Sequence, residues 1–320
     1  MINESFEKIS LNDAKVRYDA QCKRVLSQKE ILARILARTV KEFEGMTVDE
    51  IIPCMEGTPE ISCIPVEAGK TNDNKLRIQR ITGLSNEDAV PDEGVVYYDI
   101  RFYVNIPKSR EVIRLIINLE AQKSYYPGYE IVTRGIFYGT RMISAQLGTE
   151  FDHSKYNDIK KVYSIWICMD APKKVGNAIA KYSIQKKDLL PGIPDKPEAY
   201  DKISVVLITL NEKTKTDDEL LRMLNLLFSE EIDYQKKKRE LEESYRLNVS
   251  SQLGEEMYLM CNLSDLVEER GVQRGIERGM QQGIEQMVRN LLKFGDMSDE
   301  KILKVAEISK EQLEQIKKSM

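Results

Sequence analysis

No stretch of this chain approaches the roughly eighteen consecutive apolar residues that a membrane-spanning helix needs, so no membrane span is expected. The opening residues, Met1 to Glu7, carry neither a basic flank nor an apolar stretch and do not read as a signal peptide. Five cysteines (Cys22, Cys54, Cys63, Cys168 and Cys261) are odd in number and scattered, and no pair has Cys-x-x-Cys spacing. That excludes a disulfide framework and a cysteine zinc site, and makes the cytoplasm the expected compartment. Histidine occurs once, as His153. Its neighbours Asp152, Ser154 and Lys155 mark a surface loop, so a serine–histidine hydrolase is not expected. Tryptophan also occurs once, as Trp166, on an apolar run that reads as core rather than as a platform for stacked bases.

What is present points to a packed protein with an appendage. The chain has 320 residues, more than one minimal core needs. Apolar residues make up 42% and charged residues 31%, enough for a core and well short of a disordered chain of one sign. The net charge of -4 argues against bulk attraction to nucleic acid, but its distribution matters more. Between Arg101 and Arg141 seven basic residues face three acidic ones, a local charge of +4.

Helical spacing of Leu26, Ile31, Leu32, Ile35, Leu36, Val40 and Phe43 predicts a helix from about Ala14 to Glu44, stopped at Gly45. After a short apolar run at Ile61 to Val66 the chain is rich in Gly, Asn, Asp and Pro and reads as loop. Val95 to Val104 and Glu111 to Gln122, rich in branched and aromatic residues, predict a hairpin of two strands. Tyr129 to Leu147 reads as a helix. Further strands are expected at Lys161 to Cys168, Ala178 to Ile184 and Ile203 to Leu210, and helices from Asp217 on. This order gives an α/β (α+β) fold, a mixed β-sheet flanked by helices. The expected division is a domain over residues 1–250 and a helical tail over residues 251–320.

The tail contains a four-residue repeat at Gly271, Gly275, Gly279 and Gly283. Each glycine inside a helix costs about 1 kcal/mol relative to alanine, so a closely packed partner is the simplest offset. Val272, Ile276, Met280 and Ile284 run beside the glycines. Arg270, Arg274, Glu277 and Arg278 exclude a lipid setting, so the expected partner is another copy of the chain. Two short helices follow, from Ser298 and from Ser309, the second with Gln312 placed to complete a capping box.

Strand alternation puts Ile116, Asn118, Glu120 and Gln122 on one face of the second hairpin strand. In the first strand Asp99 lies opposite the apolar face of Val96, Tyr98, Ile100, Phe102 and Val104. A carboxylate in mid-strand is costly without a partner. If the hairpin brings Asp99 beside Glu120, two carboxylates about 4 Å apart repel by roughly 4 kcal/mol at an effective dielectric of 20. A divalent cation relieves this, and hard oxygen ligands suit magnesium or manganese. The plain alternative is a structural pair at a sheet edge, bonded to Arg101 or Arg114.

Several segments carry a family resemblance. They are Tyr98-Asp99-Ile100-Arg101-Phe102, Asn118-Leu119-Glu120-Ala121-Gln122, Tyr126-Pro127-Gly128-Tyr129, Thr133-Arg134-Gly135-Ile136-Phe137-Tyr138 and Tyr163-Ser164-Ile165-Trp166-Ile167-Cys168, together with the glycine repeat. This wording resembles the PD-(D/E)XK nuclease superfamily over nearly the whole chain, in particular the transposase-related branch that includes the recombination-promoting nucleases. The resemblance implies a restriction-endonuclease-like core and metal-dependent hydrolysis of DNA phosphodiesters, linked to transposition or recombination. Asp99 and Glu120 would ligate Mg2+ (or Mn2+), helped by the Ala121 carbonyl, with Gln122 as the third signature residue. Lys123, Arg134, Tyr138 and Arg141 are the candidate DNA contacts. The superfamily's usual lysine is Gln122 here. A glutamine can orient a water but supplies no positive charge, which leaves room for a second reading, a catalytically silent nucleic-acid-binding or assembly protein. Glu56 and Glu60 are weaker candidates for a further acid, and Pro91-Asp92 reads as a decoy in a polar loop.

Overall fold

The computed structural model describes residues 11–57, 60–61, 87–90, 94–97, 99–108, 111–249, 252–294 and 297–319. The apolar run at 61–66 lies outside them except for Ile61, as do Cys63 and the Pro91-Asp92 pair.

The strand-bearing unit spans Val16–Asn262. It takes in helix α1 (Leu11–Leu26) from Val16 on, α2 (Lys29–Thr39) and a short α3 (Val48–Ile51). The single helix expected over 14–44 is therefore two helices. Ser27 turns its hydroxyl back to donate to the Arg24 carbonyl, and Gln28 takes an extended backbone (ψ 128°) ahead of α2. Strand β1 (Glu60–Ile61) follows, then a two-stranded hairpin of β2 (Glu87–Val90) and β3 (Gly94–Tyr97). Next come β4 (Ile100–Lys108), β5 (Glu111–Ser124), α4 (Ile131–Ser144), β6 (Lys161–Asp170), β7 (Ala178–Ser183), α5 (Pro197–Tyr200) and β8 (Ile203–Thr209). Helices α6 (Glu219–Phe228) and α7 (Tyr234–Tyr245) follow, with Asp218 and Asp233 as N-caps accepting from backbone amides.

Five strands and the two-residue β1 form one mixed sheet in the order β1-β4-β5-β6-β8-β7. β4 and β5 are antiparallel, β5, β6 and β8 run parallel, and β7 is an antiparallel edge. A parallel neighbour requires a crossover, which α4 supplies between β5 and β6. β6 is buried over seven successive residues, as expected of a central strand covered on both faces.

On one face, Ile116, Val162, Trp166, Cys168 and Val205 pack with Ile131, Tyr138 and Met142 of α4. Two glycines let α4 come this close. A Cβ on Gly139 would lie 2.5 Å from Ile203 Cδ1, and one on Gly135 would lie 2.6 Å from Val205 Cγ1 and 2.9 Å from Trp166 Nε1. The other face buries Ile100, Phe102, Val104, Leu115, Ile117, Leu119, Ile165, Val206 and Ile208. There the Tyr163 hydroxyl donates to Glu42, which ties the N-terminal helical region to the sheet (2.5 Å).

The second unit comprises, among the described residues, 11–15, 263–294 and 297–319. Helix α8 (Gln252–Phe294) runs unbroken for 43 residues through the glycine repeat. Its last turns, α9 (Asp299–Ala306) and α10 (Lys310–Lys318) bury Val288, Ile302, Ala306 and Leu313 in a small cluster. The capping box of Ser309 and Gln312 is formed.

The first turns of α8 belong to the strand-bearing unit, so that unit continues past residue 250. Leu253, Met257, Met260 and Cys261 are buried, and Gln21 Nε2 donates to the Glu256 carbonyl at 3.0 Å. Truncation after residue 250 would remove four buried apolar side chains, each worth about 2–5 kcal/mol. A chain ending at Asn262 is expected to melt cooperatively by circular dichroism. A chain ending at residue 250 should melt much lower or aggregate, and equal melting of the two would show that this part of α8 is dispensable.

Candidate active site

The strand expected over 95–104 is interrupted. Asp99 sits in a bend just before β4, not in mid-strand. β4 begins with Ile100 opposite Leu119, which brings Asp99 alongside Glu120 on β5. The two residues clasp each other through the backbone. The Asp99 amide donates to Glu120 Oε1 at 3.1 Å, and the Ala121 amide donates to Asp99 Oδ2 at 3.0 Å. Both side chains are closed off from solvent, at 4% and 3% exposure. The pair is thus brought together but not in an open cleft.

The charge beside the pair comes from α1. Lys23 Nζ lies 2.9 Å from Asp99 Oδ1 and 2.9 Å from Asp19 Oδ2, with Lys23 itself buried. Burial disfavours the ammonium, but Asp99 and Asp19 outweigh it and hold Lys23 above the usual lysine range. Glu120 shows the reverse. Burial first, then the Asp99 charge, push its carboxyl well above the usual range, against the opposing pull of the Asp99 amide, Lys23 and Arg134. In this closed setting Glu120 favours its neutral form.

Arg134 closes the α4 side. Its guanidinium lies 5.2 Å from the Tyr129 ring centre, 5.0 Å from that of Tyr138 and 5.4 Å from that of Trp166. It donates to both tyrosine hydroxyls, at 2.7 Å for Tyr138. Burial, followed by the Glu120 charge, pushes Tyr138 up to about 12. Asn118, on the same strand face as Glu120, is fully buried, and neither its amide nitrogen nor its oxygen finds a hydrogen-bond partner.

The other candidates are placed as follows. Gln122 is half-buried on the face of Glu120. Lys123 is exposed and points the opposite way, with Nζ 5.8 Å above the Tyr18 ring and 3.9 Å from Glu230. Arg134 is half-buried, while Tyr138 and Arg141 are buried at 4% each. The helix face expected to meet phosphates is therefore turned toward the sheet, because Gly135 and Gly139 lie on the side of α4 that packs there. Thr133, Ile136, Phe137 and Thr140 face outward instead. Glu56 is exposed and accepts from Asn105 Nδ2, outside the acidic pair's bonding. His153 lies in an exposed turn and Trp166 is core. Asp99 is paired with Lys23 on the distant helix α1; the plain alternative had joined the acids to Arg101 or Arg114 of the sheet.

No family model, curated protein or solved structure matches this chain.

Among the described residues there is no group of three or more His, Cys, Asp and Glu able to hold a metal. Two carboxylates are nevertheless the protein share of a typical magnesium site, in which waters and substrate phosphates fill the remaining positions. The hard oxygen donors of the pair suit that ion. Asp99 and Glu120 would hold it.

Sequence reasoning missed Lys23 and Asp19. The available signal was a lysine on the buried side of an amphipathic helix, among Cys22, Val25 and Leu26, with an acid four residues earlier.

Proposed function

We propose that this chain is a metal-dependent DNA endonuclease with a restriction-endonuclease-like core, hydrolysing phosphodiesters in transposition or recombination. The observation that carries the reading is the clasp of Asp99, just before β4, with Glu120 of β5, which sets two buried acids side by side. The family resemblance supplies the substrate class. A bound Mg2+ or Mn2+ would supply an acidified water and charge neutralisation at phosphorus. The chain's own part is to fix the carboxylates through the amides of Asp99 and Ala121, and to exclude water with Tyr138 and Trp166.

The test is Mg2+-dependent conversion of supercoiled plasmid to nicked or linear forms. Wild type should cleave and Asp99→Asn should not. A second reading, a silent protein that binds nucleic acid or organises an assembly, is favoured by the closure of both carboxylates and by Gln122. Its signature would be a plasmid retarded in a gel but left intact by the wild type.

The burial of the α4 residues divides their expected effects. Arg134→Ala should weaken duplex binding and flatten its dependence on salt, as loss of a phosphate contact does. Arg141→Ala should instead lower the melting temperature. If Arg141→Ala leaves melting unchanged and alters the salt slope, the helix face meets DNA after all.

The reading includes a second copy of the chain as partner. A Cβ on Gly275, Gly279 or Gly283 would meet nothing within 4 Å. Val272, Ile276 and Met280 are 57%, 52% and 63% exposed. A glycine stripe edged by open apolar side chains suits close helix–helix association. Light scattering should give the full chain a higher oligomeric order than a chain ending at Asn262. A monomeric full chain would rule out association through α8.

A further inference from the structure

We propose that Lys23 is the basic residue of this site, serving from helix α1 in place of the charge that position 122 does not carry. The proposal rests on the nuclease reading above and adds a residue to it.

Gln122, Lys123 and Arg134 are each less well placed for that role. Gln122 shares the face of Glu120 but is uncharged. Lys123 is turned away to Tyr18 and Glu230. The Arg134 guanidinium is held on the α4 side by three aromatic rings and two tyrosine hydroxyls, where the reading above gives it a DNA phosphate rather than Asp99. Lys23 touches the pair directly, 2.9 Å from Asp99 Oδ1, and is 4% exposed. A buried ammonium is retained only with close partners, and here Asp99 is one of them.

Asp19 gives the arrangement its second half. It holds the same ammonium at 2.9 Å, and its own side chain is 41% exposed. The ammonium therefore has an anchor toward solvent as well as one inside. A lysine is a compact charge on a flexible stem, so it can slide between two such anchors. When Asp99 turns an oxygen to a divalent cation, Lys23 stays beside the site, held by Asp19, and can meet the phosphate. With no cation bound, it neutralises Asp99.

The test moves the charge back to the strand. Wild type, Lys23→Met, Gln122→Lys and the double variant are compared by calorimetric titration with Mn2+ alone and by plasmid cleavage. Removing the competing ammonium should tighten Mn2+ binding in Lys23→Met by about fivefold or more. Cleavage should fall by about a hundredfold or more. The double variant should return both toward wild type, which a merely structural lysine would not allow. Melting curves establish which variants fold. If Lys23→Met does not fold, the double variant decides alone, and a folded double variant with neither wild-type Mn2+ affinity nor cleavage overturns the proposal. Unchanged Mn2+ affinity and cleavage in Lys23→Met also overturn it, leaving the nuclease reading intact. A wild type that cleaves nothing, with the Mn2+ pattern as expected, removes the nuclease reading and keeps Lys23 as the pair's cation.

Discussion

Glu120→Gln is expected to abolish Mg2+-dependent cleavage while making the protein harder to melt. The two effects have one origin. Burial and the neighbouring Asp99 hold the Glu120 carboxyl well above its usual range. Its folded-state value therefore exceeds its unfolded one. Between the two values the folded protein binds more protons than the unfolded chain, and wild-type stability is lost as pH rises through the raised value. Glutamine is neutral throughout and can still accept from the Asp99 amide, so the variant escapes that loss. The gap in melting temperature between variant and wild type should widen from acid toward alkaline pH. Activity should move the other way. A carboxylate that holds a metal contributes several kcal/mol of transition-state stabilisation, about a thousandfold in rate. A variant that melts lower than wild type at alkaline pH would mean that Glu120 stabilises the fold as an anion, contrary to its raised range.

Gly139→Val should be among the most damaging single substitutions to the fold. A Cβ there falls 2.5 Å from Ile203 Cδ1, and valine adds two methyl groups beyond it. Gly135→Val meets Val205 and the Trp166 indole, whose Nε1 donates to Ser164 Oγ at 2.8 Å. Overpacking of this kind costs about 1–3 kcal/mol when neighbours can give way, and more when they cannot. Moving α4 also moves Tyr138 and Arg134, which close the acidic pair, so cleavage should fall along with stability. Gly275→Ala is the contrast. Nothing lies within 4 Å of a Cβ at that position, and alanine favours the helix by about 1 kcal/mol. It should leave the strand-bearing unit's melting unchanged and, where chains associate through the stripe, reduce their association. Thermal melts and light scattering on the three variants separate these outcomes.

The sequence was most informative where periodicity is strict. The long strand Glu111–Ser124, the helix after Pro127-Gly128 and the strands from Lys161 and Ile203 were legible because branched residues alternate or run together between turn residues. Strand alternation put Asp99 and Glu120 on the polar faces of the two hairpin strands, and the β4–β5 register sets them side by side. Two breaks left no mark. Val95 to Val104 reads as one strand because its composition is uniform, yet the chain bends at Asp99, where the side chain turns to accept from Ala121. The first helix breaks at Ser27-Gln28 without a glycine or proline. The inward turn of Tyr138 and Arg141 was hidden for a related reason. Helical spacing says which residues share a face but not which way that face points, and here the packing of Gly135 and Gly139 decides it. Lys23 could not be paired with Asp99 from sequence at all, since a contact between a helix and a distant strand leaves no local pattern.

The proposed nuclease activity requires that Asp99 and Glu120 together hold a divalent cation. The most direct measurement is anomalous diffraction from crystals grown with Mn2+. A manganese peak is expected about 2.1 Å from an oxygen of each carboxylate, with Lys23 drawn off Asp99 toward Asp19. No peak at millimolar Mn2+, with Lys23 still 2.9 Å from Asp99, would contradict it.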